Sequence, residues 1–155
     1  MSAVERRLAE KGITLPPANA PVANYVPHVL AGSLLFVSGQ VPARDGTMQV
    51  MGRLGDGVSL EQGYQAAQLC GLNLIAQAKA ALAGDLDRVR RVVKLGGFVA
   101  CTPEFTDHPK VINGYSELMK EVFGDDAGVG ARSAVGMIAL PGNMAVEIEA
   151  IFEVE

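Results

Sequence analysis

From Val146 to Val154 the chain alternates without a break. Val146, Ile148, Ala150, Phe152 and Val154 fall on one side of an extended strand, and Glu147, Glu149, Ile151 and Glu153 on the other. One face of this strand packs on helices, and the face carrying Glu149 and Ile151 needs some other cover or solvent. Upstream, Arg132 to Leu140 is a second run of strand character. It is joined to Ala145–Val154 through Pro141, Gly142 and Asn143, a connector that predicts a hairpin.

The remaining elements follow from local patterns. Residues Val4 to Lys11 carry alternating charge up to Gly12 and predict a short solvent-facing helix or turn; Pro16, Pro17 and Pro21 then force an extended arm. Tyr25–Ala31 and Leu34–Val41 are apolar runs separated by Gly32 and Ser33, the spacing of a tight hairpin. Arg44–Gly57 predicts a loop with one weak strand. Ser59 with Gln62 forms a capping-box signature at the head of a long helix whose apolar residues run through Leu60, Tyr64, Ala67, Leu74, Ile75, Ala78 and Leu82 to an end near Gly84. Val89–Cys101 predicts a buried strand, and Pro109–Phe123 a second helix with Asp107 as N-cap and Gly124 as its stop. The order ββ, weak β, α, β, α, ββ describes an α+β sheet, chorismate-mutase-like in layout, with two helices packed on one face. At 155 residues this is expected to be one domain, with residues 1–20 as an N-terminal helix and arm.

Several function classes are disfavoured by composition. Thirteen Lys and Arg against 17 Asp and Glu give a net charge of −4, and with no Trp, three Tyr and five Phe there is little cationic or stacking surface for nucleic acid. Cys70 and Cys101, like His28 and His108, are dispersed, so neither a disulfide scaffold nor a Cys/His zinc site is expected. The N-terminal stretch shows no apolar leader core, and no run approaches the roughly 18 apolar residues of a membrane span. The expectation is a cytoplasmic protein. Gly55-Asp56-Gly57 lacks the partners of a phosphate loop, Asp107-His108 lacks the context of a triad, and Cys70 in mid-helix predicts a buried, inert thiol.

Arg132 and Glu147 stand out because each charge interrupts an apolar strand. A charge in such a place is paired, exposed or functional. One reading is a cross-strand ion pair. The other is an anion clamp beside an acid/base group, since the planar guanidinium matches a carboxylate and a glutamate positions water.

The segments Val22-Ala23-Asn24-Tyr25-Val26, Leu35-Phe36-Val37-Ser38-Gly39-Gln40-Val41-Pro42, Val111-Ile112-Asn113-Gly114-Tyr115, Gly130-Ala131-Arg132-Ser133-Ala134-Val135, Leu140-Pro141 and Val146-Glu147-Ile148-Glu149-Ala150-Ile151 occur in that order. Together they resemble the RidA (YjgF) family of enamine/imine deaminases from about Tyr25 to the C-terminus, in its longer branch. The resemblance implies a homotrimer whose sheets form a central barrel, with clefts between subunits that take small 2-imino or 2-aminoacrylate-type acids and yield 2-oxo acids and ammonia. No metal or cofactor is implied. Arg132 would clamp the substrate carboxylate and Glu147 would hold the attacking water. Tyr25, Ser38, Gly39 and Asn113 would line the cleft, with Phe105 as an apolar wall. The family's common cysteine is replaced by Ala134, which bears on pocket size and substrate choice. A non-catalytic carboxylate-binding or regulatory trimer is the alternative; the endoribonuclease label attached to the family sits poorly with the charge of −4.

Overall fold

The capping box at Ser59 forms as the sequence predicts. The Ser59 hydroxyl accepts from the Gln62 backbone N–H at 3.1 Å, and the Gln62 side chain accepts from the Ser59 N–H at 2.9 Å. A computed structural model describes residues 1–155, and in it helix α2 runs Leu60–Ala81. The helix closes through a bond from the Gly84 N–H to the Lys79 carbonyl, with Gly84 at φ +93°.

In chain order the elements are α1 (Ala3–Glu10), β1 (His28–Ala31), β2 (Leu34–Gln40), β3 (Ala43–Arg44), β4 (Thr47–Met48), β5 (Arg53–Leu54), β6 (Gly57–Val58), α2, β7 (Val89–Ala100), α3 (His108–Phe123), β8 (Ala131–Met137) and β9 (Val146–Val154). The main sheet has the order β1-β2-β9-β7-β8. All of its pairings are antiparallel except β7 with β8, which run parallel and are joined through α3. This is an α+β, chorismate-mutase-like fold. β1 and β2 form the hairpin expected around Gly32 and Ser33, although β1 starts at His28 and leaves Tyr25 in a bend before it. The weak strand expected within 44–57 is two short two-stranded pairings, β3 with β4 and β5 with β6.

The expected hairpin of Arg132–Leu140 with Ala145–Val154 does not form. β7 lies between β8 and β9, so Arg132 is opposite Leu95 and Glu147 opposite Phe98. Pro141–Asn143 is a single 3-10 turn that carries the chain past β7 rather than folding it back on itself.

α2 and α3 cover one sheet face. The alternating side chains Val146, Ile148, Ala150, Phe152 and Val154 are all buried beneath them, with Leu35, Val37, Val92, Leu95 and Val99 from neighbouring strands. α1 is not solvent-facing as its charge pattern suggests: Val4 and Leu8 are buried in the same core. Its N-terminus is fixed by Asp87, whose carboxylate accepts the Ala3 and Val4 backbone N–H groups, both at 2.9 Å. One buried amide of α2 holds the arm that follows, and another holds the chain just beyond β2. Gln77 donates to the Asn19 carbonyl at 2.6 Å, and Asn73 to the carbonyls of Val41 and Ala43 at 2.9 and 3.0 Å.

The opposite sheet face has no helix. Val29, Phe36 and Val135 are exposed on it, beside Lys94 and Glu149.

Candidate functional site

Each sequence-predicted side chain falls into one of two groups, on opposite sides of the sheet. The first gathers at the end of β2. The register of β2 against β9 shifts between Val37 and Gln40, which bulges Ser38 and Gly39 out of the ladder. The Ser38 hydroxyl donates to the Val26 carbonyl at 2.7 Å and its N–H to the Pro27 carbonyl at 2.9 Å, tying the Tyr25 bend to the bulge. Glu147 packs over Gly39 so closely that a Cβ there would lie 2.6 Å from its Oε1. Burial, and secondarily the charge of Glu149, raises the Glu147 carboxyl above the usual glutamate range. Tyr25 and Ser38 border a depression of about 640 Å³ on the open face, together with Phe36, Lys94 and Glu149.

The second group lies on the helix side, along the edge strand β8. Arg132 is half-buried and has no carboxylate within ion-pair distance, so the cross-strand pair with Glu147 is absent. Its Nη1 donates to Ser116 Oγ at 3.0 Å, and Nη2 reaches the Pro109 carbonyl at 3.4 Å. Two neutral oxygens of α3 thus aim the guanidinium without neutralising it. Arg132 and Asn113 share a hollow of about 270 Å³ with Leu95, Ser116, Glu117, Lys120 and Gly130. Ala134 follows Arg132 on the same strand face and is half-buried against the core. Phe105 stands beyond it, edge-on to His108 with ring centres 5.4 Å apart.

Within one chain, therefore, Arg132 and Glu147 do not meet. Arg132, Ser116 and Asn113 can bind an anion; Glu147 can accept a proton or orient a water. No three His, Cys, Asp or Glu side chains gather closely enough to hold a metal ion, and no helix is long and apolar enough to cross a membrane.

The family model described as "YjgF/chorismate_mutase-like, putative endoribonuclease" matches residues 5–151. The chain belongs to the YjgF/RidA family. Protein TCP17 of Trypanosoma cruzi is 47% identical over 150 residues, covering 97% of this chain and 93% of that protein. A 2-iminobutanoate/2-iminopropanoate deaminase of Dermatophagoides farinae is 29% identical over 143 residues, covering 92% and 95%. Among solved structures, the protein Atu1372 of unknown function from Agrobacterium tumefaciens superposes with a TM-score of 0.91 at 51% identity, covering 98% of this chain and 92% of that one.

Sequence reasoning missed how this YjgF-family chain supports its arginine. Ser116 and the Pro109 carbonyl lie in and at the start of a helix whose pattern announces only core packing, and their link to a strand 16 or more residues away has no local signal. It also missed a contact between Cys101 and His108, whose Sγ and Nε2 lie 3.3 Å apart. Cys70, by contrast, is fully buried as expected, and burial pushes its thiol up.

Proposed function

We propose that this protein hydrolyses reactive 2-enamino and 2-imino acids to 2-oxo acids and ammonia, in a cleft that Arg132 of one copy and Glu147 of another complete. The observation that carries the reading is the guanidinium of Arg132, half-buried, held by Ser116 and Pro109, and with no carboxylate within ion-pair distance. Such a group binds a carboxylate in a two-pronged, charge-assisted contact. The similarity to a protein named as an imine deaminase supports the same chemistry.

The reaction needs few groups. An enamine first takes a proton at C3 to become the iminium, the protonated imine. A water held by Glu147 then attacks C2 and gives up a proton to the carboxylate, forming a carbinolamine. The Glu147 carboxyl passes that proton to nitrogen, the carbinolamine hydroxyl gives its own proton to the carboxylate as the C–N bond breaks, and ammonia leaves with the 2-oxo acid. A glutamate raised above its ordinary range is a better base for this than a solvated one.

A homotrimer is part of this reading, and the uncovered sheet face supports it by offering Val29, Phe36 and Val135 for burial between copies. Light scattering at micromolar concentration is expected to return the trimer mass; a monomer mass removes the shared cleft. The non-catalytic carboxylate binder keeps one supporting observation, that the Arg132 hollow is formed by a single chain. Release of ammonia and 2-oxo acid, with the imine generated in the cuvette by an amino-acid oxidase, separates the two. Turnover supports the deaminase, and saturable binding of a 2-oxo acid without turnover supports the binder.

A further inference from the structure

The space beyond Ala134 holds a second reactive arrangement. Arg132, Ala134 and Gly136 succeed one another on the same face of β8, and the first turn of α3 lies over them. At the Gly136 end, Cys101 Sγ is 3.3 Å from His108 Nε2. A Cβ on residue 136 would come within 2.7 Å of that sulfur and 2.6 Å of that nitrogen, so the pair occupies the space a side chain there would fill. Phe105 meets the imidazole edge-on, with planes 80° apart, which fixes the ring. Both Cys101 and His108 are only half-buried.

We propose that Cys101 and His108 form a nucleophilic pair that reacts with carboxylic acids of several carbons carrying a soft electrophilic carbon far from the carboxylate. The choice of acids rests on reading Arg132 as a carboxylate clamp; the nucleophile does not. Residues 132 and 136 are four apart, about 13 Å of strand, so an acid held at Arg132 must extend across Ala134 to reach the sulfur. Burial raises the Cys101 thiol, so it does not ionise by itself near neutrality and needs the adjacent base. With an α,β-unsaturated group the step balances without an oxidant. His108 Nε2 takes the thiol proton, sulfur bonds to the β-carbon, the π pair moves to the α-carbon, and that carbon takes the proton back, leaving a thioether.

The test compares 6-maleimidohexanoate, long enough to span that stretch of strand, with N-hexylmaleimide, the same electrophile without a carboxylate, reading labelling rates by peptide mass. The chain has two cysteines, and fully buried Cys70 serves as the internal control. Expected are labelling at Cys101 alone and a preference for the acid of roughly ten- to a hundred-fold. His108→Gln should slow both reagents about a hundred-fold. Arg132→Gln should erase the preference, read as the ratio of the two reagents' rates within that variant. Added imidazole should restore the rate of folded His108→Ala. An unchanged rate in His108→Gln overturns the pair, and a preference that survives Arg132→Gln overturns the choice of acids. Failure of imine hydrolysis would show separately, as no ammonia release with these labelling rates intact.

Discussion

Arg132 and Glu147 stand on opposite faces of one sheet, with β7 between their strands. Arg132 is opposite Leu95, and Leu95 is opposite Ala150, whose side chain lies beneath the helices. Glu147 is three residues before Ala150 and projects to the other side. A single molecule can thus clamp a carboxylate or poise a water, and one substrate can meet both only where two molecules adjoin.

Gly39 is where the Glu147 side chain is most constrained. A Cβ at 39 would lie 2.6 Å from Oε1 and 3.0 Å from Cδ, so Gly39→Ala must push the carboxylate aside. Imine turnover is expected to fall roughly ten- to a hundred-fold, as displacing a positioned catalytic group by about 1 Å does. The melting temperature should change little, because the side chain displaced is only half-buried. Steady-state kinetics beside a thermal melt check both.

In the proposed mechanism Glu147 also sets the acid side of the pH profile. Its carboxyl is raised by burial first and by Glu149 second. A base with a raised value loses activity as pH falls through that value, so the acid limb of kcat/KM should lie above the ordinary glutamate value of about 4.3. Glu149→Gln removes one raising charge and should shift the limb to lower pH. A limb that stays in place shows that another group titrates.

Much of this architecture is legible in the sequence, where local chemistry decides the outcome. The Ser59–Gln62 capping box, the Gly32-Ser33 turn and the alternation from Val146 to Val154 each fix an element by interactions within a few residues. The position of β8 is not local. Pro141-Gly142-Asn143 has the composition of a hairpin turn, yet β8 is won by β7 through a parallel pairing across α3, which no short-range pattern encodes. For the same reason Arg132 was recognisable as a charge needing an explanation, while its holders Ser116 and Pro109 were not. The burial of Val4 and Leu8 was hidden because one helix turn of apolar residues among charges reads as surface.

Ala134 is expected to set substrate choice. It follows Arg132 on the same strand face, where the family's common cysteine would add about one heavy atom. One-atom changes in apolar pockets alter discrimination by about ten- to two-hundred-fold. Ala134→Cys should therefore shift preference toward the alanine-derived imine over those from leucine and methionine. Rate constants for the three imines on both proteins check this; an identical ranking places residue 134 outside the pocket.

Asp87 should carry much of the anchoring of α1. The N–H groups of Val4 and Ala3 hold its carboxyl below the usual aspartate range. A depressed carboxyl contributes stability above its unfolded value of about 3.9, and that contribution is lost as pH falls through the folded value. Asp87→Ala should cost about 1 kcal/mol at neutral pH, the usual effect of removing a helix N-terminal acceptor. The difference from wild type should shrink below about pH 4. Denaturant melts at pH 7 and pH 3 measure it.

The most direct test of the two-copy site is complementation between inactive variants. Arg132→Ala removes the clamp and should lower turnover about thirty- to a thousand-fold, the loss of a charge-assisted carboxylate contact. Glu147→Gln removes the proton acceptor. Each is expected to be inactive as a pure assembly. When the two are unfolded, mixed in equal amounts and refolded together, half the copies supply Arg132 and half supply Glu147, so about one site in four receives both in a closed ring. The account predicts recovery of about a quarter of wild-type turnover in the mixture. Refolded mixtures that exchange copies freely, yet show no more activity than either variant alone, would contradict it.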